Sequence, residues 1–131
     1  MKNNDFNPAD NIQDLQYFGE FGGVNPSISD SSTYTFLSAK MMFDTFEGNM
    51  EGCYLYSRHS SPSNLYLDQA LAAMEGTEAA NVSASGMGAI TPTLLQLCGS
   101  GDHIVSSRTI YGGTYAFLKN FTTRLGIDTT F

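Results

Sequence analysis

Basic residues are scarce in this chain. Its 131 residues hold six Lys and Arg against thirteen Asp and Glu, a formal net charge of −7. That balance argues against nucleic acid as a partner, because binding a phosphate backbone needs a surplus of cations. Only Lys2, Lys40 and Lys119 are lysines. Cysteine is scarcer still. Cys53 and Cys98 stand far apart and match no metal or redox spacing, which points to a reducing, cytoplasmic setting. No apolar run is long enough to cross a membrane. The stretch Met1-Lys2-Asn3-Asn4-Asp5 lacks the apolar segment of a signal peptide. Internal repeats and low-complexity tracts are absent as well.

What is present suffices for a core: 41% of residues are hydrophobic, in a chain sized for one domain or part of one. The acidity is concentrated early. Residues 1–51 carry Lys2 and Lys40 against eight acids, whereas residues 52–131 carry four basic residues against five acids. The cations that could meet an anionic ligand therefore lie mostly in the second part.

Residues 1–33, rich in Asn, Asp, Ser and Gly with Pro8 and Pro26, read as an arm with little regular structure. Its scattered aromatics Phe6, Tyr17, Phe18 and Phe21 suit packing on something larger. A short helix is expected around Ala39–Phe43. A turn between Gly48 and Gly52 precedes an extended Tyr54–Arg58. Ser61 caps a helix whose Leu67, Leu71 and Met74 share a face and which Gly76 ends. Then come a short strand at Ala79–Ser83, a helix at Gly86–Cys98 that tolerates Pro92 near its start, and a turn at Gly99–Asp102. A second strand at His103–Ser106 leads through a glycine loop, Tyr111-Gly112-Gly113-Thr114, into a helix at Tyr115–Arg124. Gly126 stops that helix, and a third strand begins at Ile127–Phe131. Strands alternating with helices imply an α/β fold with a parallel-rich sheet and crossover helices. So few strands leave long open edges, which favours a truncated piece of a larger protein over a small complete domain.

Three constellations carry chemistry. At Ser85-Gly86-Met87-Gly88 a helix starts among small residues, where backbone N–H groups and the helix dipole favour an anion such as a phosphate. The same residues nearly fit a dinucleotide fingerprint. Thr91 replaces its third glycine, no acid ends the second strand, and Arg108 would greet a 2′-phosphate in such a site. In Tyr56-Ser57-Arg58 a phenol and a guanidinium two residues apart on an extended segment face one side and form a phosphate clamp. Tyr111 falls on the C-terminal edge of the sheet, where it can stack on an aromatic ligand. Each also has a plainer reading, as a helix start, a solvated arginine beside a packed tyrosine, and a packed turn. His59 and His103 lack partners at ligand spacing, and Lys119 reads as solvated. The Asn81-Val82-Ser83 glycosylation pattern is set aside because it falls in a strand expected to be buried.

Taken in order, these motifs resemble the Cys/Met-metabolism family of pyridoxal-phosphate enzymes, which includes cystathionine γ-synthases, cystathionine γ-lyases, methionine γ-lyases and O-acetylhomoserine sulfhydrylases. Tyr56–Ser63 resembles the family's Tyr-Ser-Arg…Asn-Pro-Thr segment. Leu71–Gly76 resembles its Leu-Ala-x-Leu-Glu-Gly helix end, and Gly101–Val105 its Gly-Asp-His-Val-Val strand start. The similarity covers about residues 22–131. It implies the first part of a fold-type-I large domain, truncated, with an arm making intersubunit contacts over 1–55 and the cofactor-binding domain beginning at 56–131. It implies pyridoxal 5′-phosphate as cofactor, with Ser85, Gly86 and Met87 at its phosphate. Tyr111 would lie on its ring and assist proton transfer. Tyr56 and Arg58 would reach the neighbouring subunit's cofactor in a homodimer or homotetramer. The activity implied is γ-elimination or γ-replacement on a sulfur amino acid or an O-acylhomoserine.

Three departures stand out. Ser61-Pro62-Ser63 replaces Asn-Pro-Thr. Gly113 stands where methionine γ-lyases tend to carry cysteine, which counts against that activity. The family's Schiff-base lysine, in a Ser-x-Thr-Lys context, and the aspartate that pairs with the pyridine nitrogen are expected beyond Phe131, in a chain about three times as long. The 131 residues alone are then expected to be inactive. A small Rossmann-like nucleotide-binding or interaction module is the alternative.

Overall fold

The computed structural model describes residues 7–14, 20–49 and 52–131. The chain divides into two compact units, Met1–Val82 and Ser83–Phe131.

In the first unit, helix α1 (Pro8–Asp14) arises inside the expected arm. Its start was legible after all. Asn7 Oδ1 accepts from the Ala9 N–H at 3.1 Å, and Pro8 takes the first helical position, where its missing donor costs nothing. α1 packs on α3 (Pro62–Glu75), with Asn11 Nδ2 donating to the Ala73 carbonyl. The segment before α2 is also tied to α3: the Ser29 N–H donates to Ser63 Oγ at 2.8 Å. The aromatics Phe6, Tyr17 and Phe18 lie outside the described residues. Helix α2 (Ala39–Phe46) is capped by Ser38 and carries the Lys40–Asp44 ion pair one turn apart. α3 is capped by Ser61, whose Oγ accepts from the Asn64 N–H, and Gly76 ends it in the left-handed conformation at φ 66°. Leu67, Leu71 and Met74 lie on this helix, as expected for a shared face, and that face is exposed in the structure.

Two extended segments of the sequence reading are corrected. Tyr54–Arg58 is not one straight run. Tyr56 makes an isolated antiparallel bridge to Thr33, and the chain then turns, with the His59 and Ser60 N–H groups both donating to the Tyr56 carbonyl. Ala79–Ser83 forms no strand. The Val82 N–H donates instead to Asp68 Oδ1 of α3 at 2.6 Å, so a side chain takes the donor that a ladder would need. Asn81 is accordingly exposed.

In the second unit, α4 (Gly86–Leu97) leads to β1 (His103–Val105), which pairs in parallel with β2 (Asp128–Thr130) in the register His103↔Asp128. The sheet thus holds two strands among the described residues. The helix between them begins three residues before the expected Tyr115. α5 (Gly112–Ala116) widens into a π turn at Phe117–Phe121 and tightens into a 3₁₀ turn at Thr122–Leu125. Thr122 is fully buried and donates its hydroxyl to the Leu118 carbonyl at 2.7 Å. Leu118 and Ile127, each 2% exposed, are the buried apolar side chains among the described residues. No helix among them is long and apolar enough to cross a membrane.

Candidate functional site

Ser85 is the N-cap of α4. Its extended backbone leaves the hydroxyl free to accept from the Gly88 N–H at 2.9 Å, while its carbonyl takes the Ala89 N–H at 3.0 Å. The N–H groups of Gly86 and Met87 have no acceptor among the described residues. The first turn of α4 also lacks the acidic side chain that often neutralises a helix N-terminus. A Cβ added at Gly86 would meet nothing within 4 Å.

These features open on one cavity of about 420 Å³, lined by Ser85, Gly86, Met87, Ile90 and Tyr111. That size falls within the roughly 300–1,000 Å³ usual for small-molecule sites. The cavity thus gathers four of the residues singled out in the sequence and adds Ile90. Ile90 was missed, although its position one turn after Gly86 places it on the same helix face. Tyr111 is the N-cap of α5 and is 72% exposed. The donor set suits a phosphorylated aromatic ligand. Two free N–H groups at a positive helix end are available to an anion, no acidic side chain lines the cavity, and a large exposed ring is available for stacking.

Tyr56 and Arg58 line a separate cavity of about 610 Å³ in the first unit, walled by Tyr34, Phe36, Met42 and Phe46. The turn, not an extended run, brings them together: Arg58 Cζ lies 5.4 Å from the centre of the Tyr56 ring. Arg58 makes no ion pair among the described residues. His59 lines this cavity too. Arg108, the residue that would greet a 2′-phosphate, donates from Nε to the Phe131 carbonyl at 3.3 Å. With no strand before α4, the strand–turn–helix context of a dinucleotide fingerprint is missing.

Ser85→Ala is expected to remove the cap and destabilise α4 by about 1 kcal/mol. Hydrogen exchange checks this: faster exchange at Gly88 and Ala89, with β1 and β2 amides unchanged, is the expected pattern. Equal protection in both proteins would rule out the capping role.

A profile of the family described as Cys/Met metabolism PLP-dependent enzyme matches residues 11–131. The methionine gamma-lyase of Arabidopsis thaliana is 45% identical over 132 residues, 97% of this chain and 30% of that protein. The O-succinylhomoserine sulfhydrylase of Pseudomonas aeruginosa is 36% identical over 110 residues, 84% of this chain and 26% of that protein. Among solved structures, a candidate O-acetylhomoserine (thiol)-lyase from Campylobacter jejuni, bearing N'-pyridoxyl-lysine-5'-monophosphate, superposes with a TM-score of 0.83 at 30% identity. That match covers 95% of this chain and 31% of the other. The chain therefore spans about 30% of the length of such relatives. Its architecture is that of part of a fold-type-I enzyme. By the match over residues 11–131, this chain belongs to the Cys/Met-metabolism family of pyridoxal-phosphate-dependent enzymes.

Proposed function

We propose that this chain is the N-terminal portion of a pyridoxal-phosphate enzyme that eliminates or replaces the γ (or β) substituent of a sulfur amino acid or an O-acylhomoserine. The observation that carries the reading is the cavity shared by Ser85, Gly86, Met87 and Tyr111 in a chain of this family. Gly86 and Met87 hold the cofactor phosphate through their free N–H groups at the positive end of α4, with Ser85 fixing that turn. Tyr111 lies against the cofactor ring and moves a proton at the substrate. When bound, the cofactor supplies an electron sink for negative charge at the substrate Cα.

Tyr56 and Arg58 serve the phosphate of the neighbouring subunit's cofactor, so the working protein is an oligomer, a homotetramer built from dimers. In this reading the arm over 1–55 contributes to subunit contacts and 56–131 opens the cofactor domain. The exposed apolar side chains Phe21, Val24, Ile28 and Leu37, with the Leu67–Leu71–Met74 stripe, support such a covered surface. A cytoplasmic location accords with unpaired Cys53 and Cys98. Lys40 is engaged by Asp44, and Lys119 Nζ sits 5.4 Å from the centre of the Tyr115 ring. The chain spans about 30% of the length of such relatives, so the lysine that bonds the cofactor is sought in the rest of the protein, and these 131 residues alone are expected to be inactive.

The protein that carries this chain, loaded with pyridoxal 5′-phosphate, is expected to release thiol from a sulfur amino acid or to replace the acyloxy group of an O-acylhomoserine by a thiol, releasing the carboxylic acid. The faster reaction identifies the substrate class. Borohydride reduction is expected to fix the cofactor on a lysine other than Lys2, Lys40 or Lys119. Tight NAD(P) binding with none of pyridoxal phosphate would overturn the reading.

A further inference from the structure

Tyr111 is followed by two glycines, and the stretch reads in the sequence as a glycine loop. The structure separates them. Neither has a left-handed φ, and both lie in the first turn of α5, so backbone freedom explains neither. A Cβ on Gly112 would meet nothing within 4 Å. A Cβ on Gly113 would come within 2.6 Å of Tyr111 Cε1, 3.2 Å of Tyr111 Cδ1 and 3.4 Å of Met87 Sδ. In this chain the Tyr111 ring thus stands where a Cβ at position 113 would fall, so a side chain there requires the ring to sit elsewhere. Met87 closes the other side. Its sulfur accepts from Thr114 Oγ1 at 3.5 Å, which ties the start of α4 to the start of α5.

We propose that Gly113 is a positioning residue: its missing side chain, together with the Met87–Thr114 contact, sets the Tyr111 ring at its place on the cavity wall. The inference rests on the proposed function only where it concerns the cofactor. The placement of the ring is a property of the protein itself.

The ring is exposed, so a side chain at 113 displaces the tyrosine rather than the helix. Alanine is also the better helix former at either glycine. Gly113→Ala is therefore expected to fold, and to move Tyr111. The test labels the protein that carries this chain with 3-fluorotyrosine and follows its ¹⁹F NMR spectrum without cofactor, the Tyr111 signal being assigned by its loss in Tyr111→Phe. Gly113→Ala is expected to shift that signal, and Gly112→Ala to leave it in place. Pyridoxal 5′-phosphate binding is then expected to weaken by up to about tenfold in Gly113→Ala alone, the fold-change set by a lost stacking contact. An unmoved Tyr111 signal in Gly113→Ala, or equal shifts in both variants, would overturn the proposal.

A double variant keeps the question decidable if Gly113→Ala folds poorly. With Tyr111→Ala in place, the substitution at 113 is expected to become neutral, because the ring it opposes is gone. An undiminished defect in the double variant would equally overturn it. If Gly113→Ala moves the signal while neither it nor Tyr111→Leu changes cofactor binding, the positioning stands and the cofactor role of Tyr111 falls.

Discussion

Ile127→Ala is expected to lower the unfolding free energy by about 2–5 kcal/mol, the range for emptying a well-packed aliphatic site. Ile127 is 2% exposed and sits between the 3₁₀ turn and β2. Its own N–H donates to the Thr122 carbonyl, the Gly126 carbonyl of the same peptide accepts from the Gly101 N–H at 2.8 Å, and on the other side the Asp128 N–H donates to the Asp102 carbonyl at 3.0 Å. The backbone on both sides is thus anchored, which limits collapse into the space left behind, so the cavity cost adds to the lost burial. Only Leu118 matches it as a buried apolar residue among those described, so no larger core shares the loss. Ile127→Val, which removes one methyl group, is expected to cost about 0.5–1.5 kcal/mol. Urea unfolding measures both. A lower midpoint at an unchanged slope, graded from valine to alanine, is the expected result. Equal midpoints in all three proteins would mean that Ile127 is not packed as described.

The features legible in the sequence were those fixed by residues close together. Ser38, Ser61 and Ser85 each precede a helix and cap it, and Gly76 and Gly126 end helical segments in the left-handed conformation that glycine adopts without strain. The gathering of Ser85, Gly86 and Met87 on one cavity follows from the same local rule. What failed depended on partners elsewhere in the chain. Ala79–Ser83 has the composition of a strand, yet Asp68, fourteen residues before Val82, claims the donor. The Leu67 stripe, by contrast, shares its helix face as read, although periodicity marks a face and does not name what covers it. The Tyr111-Gly112-Gly113 loop was legible as a glycine-rich turn. The separate duty of its second glycine was not, because it depends on where the tyrosine ring turns.

Under the proposed function, Arg58→Ala is expected to weaken pyridoxal 5′-phosphate binding by the whole protein about 10- to 100-fold while leaving unfolding within about 0.5 kcal/mol of the parent protein. The asymmetry follows from the contacts. Among the described residues Arg58 makes no ion pair, and it has the Tyr56 ring as an aromatic neighbour, so little of the described fold depends on its charge. That leaves a guanidinium fork available for anionic oxygens in a strongly acidic chain, where only six residues are Lys or Arg. A hydrogen bond to a charged group contributes roughly 1.5–3 kcal/mol, and each 1.4 kcal/mol is tenfold in affinity. Lysine at position 58 would keep the charge but not the two parallel donors, so Arg58→Lys is expected to fall between the parent and Arg58→Ala. Tyr56→Phe keeps the ring beneath the guanidinium and removes only the hydroxyl, and is expected to have the smaller effect. Equilibrium binding of the cofactor, measured alongside the oligomeric state, tests the set. Parent-like affinity in Arg58→Ala, with the oligomer intact, would remove Arg58 from the phosphate site and leave the α4 N-terminus to hold the anion alone.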